Sequence, residues 1–145
     1  MIPRLKIKLH NGWSPVDNSN GPATYVKGSS CLQFSQAQYK GDKLSLDTQK
    51  QVSICEGLTR KMRGRRDMLS GSGNCELGVF GTVVAKGDEP AYMQVWVLSN
   101  GNDLVLVTHI CEQEPGAAEV EEARAIALMT TLGPSEGDGA KSAVH

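Results

Sequence analysis

Two residues able to do chemistry stand two positions apart, His109 and Cys111. If Leu104 to Ile110 is a strand, both project from one face, because side chains alternate along a strand. An imidazole beside a thiol can lower the thiol pKa and create a nucleophilic dyad. The same pair supplies two ligands toward a metal centre, but such a centre takes three or four. A strand histidine hydrogen-bonded at a sheet end is the commoner arrangement. The reading is therefore no catalytic residue, no metal ligand and no cofactor, with a small enzyme using His109 and Cys111 kept as an alternative.

A second grouping is Arg60-Lys61-Met62-Arg63-Gly64-Arg65-Arg66, five cations in seven residues. Clustered cations suit phosphate contacts, and they suit an acidic protein surface equally well. No aromatic lies nearby for base stacking, which argues against single-stranded nucleic acid. Arg60, Lys61, Arg63, Arg65 and Arg66 are thus candidate partner-binding residues, with an anion or nucleic-acid site as the lesser alternative. Ser70-Gly71-Ser72-Gly73-Asn74-Cys75 fails as a nucleophile elbow, since Ser70 stands where the first glycine should be and a strand follows. It also lacks the Gly-Lys-Ser/Thr of a phosphate loop, so a plain turn is expected. Glu112, Glu114, Glu119, Glu121 and Glu122 cluster at a helix start, where they complement the dipole.

The elements that would position these residues are legible. Tyr92 to Leu98 and Leu104 to Ile110 are β-rich apolar runs joined by Asn100-Gly101-Asn102-Asp103, a turn composition. Both runs are apolar on both faces: Met93, Val95 and Val97 point one way, Tyr92, Gln94, Trp96 and Leu98 the other. Double-sided burial implies a sheet covered on both faces. Two helices are the natural covers, one capped by Asp47 and running to Arg63, the other spanning Ala117 to Leu132 and closed by Gly133-Pro134. Val95, Val97, Leu104, Leu106, Ile126 and Leu132 are the expected core. Leu5, Ile7 and Leu9 alternate with Lys6, Lys8 and His10 as a half-buried strand. Ala23 to Lys27, Ser30 to Gln36 and Glu76 to Ala85 are further strands, and Gly87 to Pro90 is a turn.

Composition sets the frame. A chain of 145 residues with 39% apolar and 21% charged residues can bury one core, as an ordinary globule does. We read residues 1–133 as a single α+β domain and 134–145 as a disordered tail. No apolar run is long enough to span a bilayer, and Met1 to Lys6 has no signal-peptide stretch, so a cytoplasmic location is expected. Cys31, Cys55, Cys75 and Cys111 form no C-x-x-C pair and are expected as free thiols. Residues 1–72 carry 12 Lys/Arg against 5 Asp/Glu, and 73–145 carry 3 against 11. The two halves are expected to interleave in space.

Asn11-Gly12-Trp13, Gln94-Val95-Trp96-Val97-Leu98, Leu106-Val107-Thr108 and Glu121-Glu122-Ala123-Arg124-Ala125-Ile126 recur in the order of a known architecture. On them the chain resembles the Mog1/PsbP-like fold family. That resemblance implies an antiparallel sheet with helices packed on it. It implies a mostly non-enzymatic company: photosystem extrinsic subunits, a Ran-binding factor and bacterial adaptor chaperones that tend to dimerise. The expected function is a non-enzymatic protein-binding module, an adaptor, chaperone or immunity-type partner of a bacterial secreted protein. Its partner would be a protein, with homodimerisation open.

Overall fold

The computed structural model describes residues 4–10, 12–17, 21–38 and 48–133. Asp47, Asn11 and the tail 134–145, to which the sequence reading assigned roles, lie outside the described residues. The order along the chain is β1 (Arg4–Lys6), β2 (Ser14–Val16), β3 (Ala23–Lys27), β4 (Ser30–Gln38), α1 (Thr48–Thr59), β5 (Arg66–Asn74), β6 (Val79–Lys86), β7 (Tyr92–Ser99), β8 (Asp103–Cys111), α2 (Ala117–Leu128) and β9 (Thr131–Gly133). Seven strands form one sheet in the order β2-β3-β4-β8-β7-β6-β5, and β1 pairs with β9 apart from it. Every strand pairing among the described residues is antiparallel.

The central hairpin forms where its turn chemistry requires it. Gly101 takes a φ of 96°. The Asn100 side-chain oxygen accepts the backbone N–H groups of Asn102 and Asp103 at 2.9 and 2.8 Å, so the turn satisfies its own donors. The two faces then separate as the alternation demands. Trp96, Leu98, Val105 and Val107 join Leu32 and Phe34 beneath Ala123, Ile126 and Ala127 of α2. Val83, Val95 and Val97 pack under Val52 and Cys55 of α1 on the other side. The chain is α+β, an antiparallel sheet with one helix on each face.

Helix α1 lies hard against β6. A Cβ at Gly81 would sit 2.7 Å from the Val52 nitrogen and 2.8 Å from the Gln51 Cβ. Only glycine leaves room there for the helix backbone. The helix stops at Thr59, four residues before the expected Arg63. The Thr59 hydroxyl donates to the Glu56 carbonyl at 2.9 Å, and the Arg65 guanidinium reaches that carbonyl and the Thr59 hydroxyl at 3.2 and 3.0 Å. These contacts occupy the groups a further turn would need.

Other boundaries moved for identifiable reasons. Helix α2 ends at Leu128, not Leu132. The Thr130 hydroxyl donates back to the Ile126 carbonyl at 2.8 Å, and Thr131 to Gly133 go to β1 instead. Leu5, Ile7 and Leu9 do alternate with exposed neighbours and pack on the core, but only Arg4–Lys6 is paired, because its partner is three residues long. Gly71 to Asn74, expected as a turn, continue the edge strand β5. The turn falls after them, where the Cys75 N–H donates to the Gly78 carbonyl at 2.9 Å. A solvated edge needs no apolar residues, so its composition reads as loop.

Of the expected core, Val95, Val97 and Ile126 are buried, whereas Leu104, Leu106 and Leu132 are half-buried. Helix α1 covers β6 and β7 and stops short of β8. Between them runs a cavity of about 220 Å³ lined by Gln36, Ile54, Val97, Leu104 and Leu106. The basic and acidic halves of the sequence interleave, as in the ion pairs Lys27–Glu122 and Arg63–Glu89.

Candidate functional site

The alternation of β8 carries His109 and Cys111 onto the α2 face, in line with Val105 and Val107. Pro115-Gly116 ends the strand connection and sets the start of α2, whose first turn brings Glu119 over the pair. From β4, Ser30 lies opposite Cys111 in the register. One oxygen of Glu119 is the meeting point. It lies 2.9 Å from His109 Nε2, 2.7 Å from Ser30 Oγ and 3.6 Å from Cys111 Sγ. Sulfur and Nε2 are 3.2 Å apart, and Ser30 Oγ is 3.4 Å from the sulfur. His109 is wholly buried, with the rings of Trp13 and Tyr92 edge-on at centroid distances of 6.0 and 5.5 Å.

Burial sets the protonation. Desolvation lowers the His109 pKa, against the pull of the Glu119 hydrogen bond, so the ring is neutral at pH 7. A carboxylate only accepts hydrogen bonds, so Nε2 carries the hydrogen and donates it to Glu119. Among the described residues Nδ1, bare and buried, has no hydrogen-bond partner. Desolvation pushes the Cys111 thiol up to about 12, with the Ser30 hydroxyl opposing and Glu119 reinforcing the rise. The dyad that the two-residue spacing suggested is therefore assembled, but its thiol stays protonated and has no activated thiolate. In the native protein Cys111 is expected to alkylate with iodoacetamide far more slowly than an unfolded-chain thiol. Peptide mass mapping would separate it from the half-buried Cys31 and Cys75. Rapid labelling of Cys111 at neutral pH would restore the nucleophile reading.

Glu119 and Ser30 were missed in the sequence. By sequence Glu119 belongs with the exposed acidic helix start, yet it shares a stripe with Ala123 and Ile126, at spacings of four and seven residues. An acidic residue on the apolar stripe of a helix was the available signal. The other glutamates are ordinary. Glu122 accepts Lys27 at 2.8 Å and the Trp13 indole, and Glu114 pairs with Lys86 at 2.8 Å. All four cysteines are free thiols, with Cys55 and Cys111 buried.

The five cations sit between α1 and the start of β5. Arg63 pairs with Glu89 at 3.0 Å and Arg66 with Asp88 at 3.1 Å, all four side chains exposed. Arg65 is half-buried and holds the end of α1, so it is a structural residue as well as a charge. Arg60 and Lys61 are exposed. Ser70 and Ser72 are exposed on the edge strand, with no base beside them among the described contacts.

No protein-family model matches the sequence, and no curated protein does either. Solved structures do match. LpqN, involved in cell envelope biogenesis of Mycobacterium tuberculosis, superposes with a TM-score of 0.67 at 12% identity, over 92% of this chain and 85% of that one. The cyanobacterial PsbP of Synechocystis superposes with a TM-score of 0.62 at 13% identity, over 91% of this chain and 94% of the other. The fold is Mog1/PsbP-like. At these identities the likeness concerns the backbone, so the Mog1/PsbP-like architecture does not carry a function with it. The cytoplasmic location expected from the first residues does not stand: the neighbours with this fold point away from the cytoplasm. A short stretch at the start of a chain is weak ground for placing a protein. Among the described residues no helix is long and apolar enough to cross a membrane.

Proposed function

We propose that this chain is a non-enzymatic protein-binding module of adaptor or chaperone type, and that it takes an acidic, extended segment of its partner along β5. The observation that carries this reading is the edge of the sheet. Strand β5 is nine residues long and ends the seven-stranded sheet. Met68 and Leu69 are exposed on it, Leu69 to 71%. A long exposed edge is a template for another strand, and strand addition is a common way to capture an extended peptide. The cations Arg60, Lys61, Arg63 and Arg66 stand at its entrance, so the matching segment is acidic. A protonated, buried Cys111 supports a non-enzymatic role.

The test places a photo-crosslinking residue at Leu69 in cells, identifies the captured partner, and follows association with the purified partner by stopped flow. Capture at Leu69 is expected. The on-rate should fall steeply as the Debye length shrinks from about 10 Å at 0.1 M salt to about 3 Å at 1 M. Replacing Arg60, Lys61 and Arg63 with Gln should slow association far more than it speeds dissociation. A salt-independent rate, unchanged in that variant, overturns the steering role. Capture from Leu106 and not from Leu69 would move the interface to the apolar cavity, and a Leu69 crosslink to a second copy would make the edge a dimer contact.

A further inference from the structure

We infer that His109 Nε2, Cys111 Sγ and Glu119 Oε2 form a binding site for a thiophilic divalent cation, with zinc as the best fit. The three donor atoms come from two elements and lie within 4.8 Å of one another. Their separations are 2.9, 3.2 and 3.6 Å. Zinc bonds of about 2.0–2.3 Å at tetrahedral angles need donor–donor edges of about 3.3–3.6 Å. The cluster therefore has to open by only a few tenths of an ångström. Nitrogen, sulfur and carboxylate oxygen are the zinc donors, while magnesium and calcium take oxygen almost alone.

The hydrogen bonding points the same way. A single Glu119 oxygen faces an imidazole nitrogen, a thiol and a hydroxyl at once. The three ligand atoms are thus already gathered within hydrogen-bonding distance of one another. On binding, the Cys111 S–H bond breaks and an S–metal bond forms, with the proton leaving to solvent. The imidazole hydrogen moves from Nε2 to Nδ1, freeing the Nε2 lone pair. Ser30 Oγ, 2.7 Å from Oε2, either takes the fourth corner or hydrogen-bonds the ligating carboxylate while water takes it. Among the described residues Nδ1 has no hydrogen-bond partner to receive that hydrogen. A ligating histidine normally donates that hydrogen to a polar partner, so affinity below that of a four-ligand structural zinc site is expected. The cation would tie the first turn of α2 to β8.

Cobalt(II) titration of chelator-treated protein tests the site, because a cysteine thiolate bound to cobalt gives a charge-transfer band in the near ultraviolet. One equivalent should produce the band, zinc should displace the cobalt, and calorimetry in buffers of different ionisation enthalpy should report proton release. Cys111→Ser should abolish the band, and Glu119→Gln should weaken binding at least tenfold, with circular dichroism showing both folded. Cys31→Ser should leave the band unchanged. If either site variant fails to fold, the displacement of cobalt by zinc and the Cys31→Ser control still decide, since they use a native site. No band from the folded native protein, or a band lost with Cys31 instead of Cys111, would overturn the assignment.

Discussion

Replacing Trp96 with alanine is expected to destabilise the fold by about 3–5 kcal/mol, the range for a fully buried aromatic. Trp96 is wholly buried in the larger core cluster. It stands between Thr82 and Val107 in the sheet register, at the centre of β7. Its neighbours within the sheet belong to paired strands, which cannot collapse into the space without breaking backbone hydrogen bonds. Among the described residues the buried indole nitrogen has no hydrogen-bond partner, and an unmet buried donor carries a penalty of about 1–3 kcal/mol. Trp96→Phe removes that donor and keeps most of the ring, so it should cost well under half as much as the alanine. Urea unfolding of the three proteins measures both differences. A loss below about 1 kcal/mol for the alanine would contradict the packing described for this face.

A smaller loss is expected from adding a single carbon on the opposite face. Gly81→Ala should cost about 1–3 kcal/mol, the range for overpacking, and Gly81→Val more than that. The new carbon meets the backbone of α1, not the end of a flexible side chain. The helix has to lift from β6, which loosens Val52 and Cys55 from Val83, Val95 and Val97. Amide hydrogen exchange should then rise through Thr48–Thr59 more than through α2. Equal protection of the two helices in Gly81→Val would mean that α1 is not seated by this contact.

Much of this architecture was legible because local chemistry and burial agreed. The hairpin around Asn100-Gly101 carries turn residues where positive φ is used and apolar residues on both faces where both are covered. The resemblance drawn from those strands and the last helix led to the correct fold. Elements defined only by their partners were not legible. Strand β9 is three residues that would continue a helix if β1 were elsewhere, and β5 is an edge whose serines and glycines look like loop. The same limit applies to the buried cluster. His109 and Cys111 could be paired from a spacing of two, but Glu119 reaches them across a strand-to-helix connection and Ser30 across the β4–β8 pairing. The cations were conspicuous in sequence, yet Arg63, Arg65 and Arg66 spend much of their bonding within the fold.

The strand order has a consequence for how the chain assembles. Within the seven-stranded sheet, β2 to β4 form one meander and β5 to β8 another, and each adds its strands to a neighbour in sequence. Only the β4–β8 pairing joins distant segments, running from Ser30 opposite Cys111 to Gln38 opposite Asp103. Short hairpins close in microseconds, whereas long-range pairing must meet the entropy of a large loop before any contact repays it. The seven-stranded sheet is thus two locally built meanders meeting along one seam, and closing that seam is the step expected to be slow. Ser30 and Cys111 lie at one end of it, so the Ser30 hydroxyl can join Cys111 and Glu119 only after the two meanders have met.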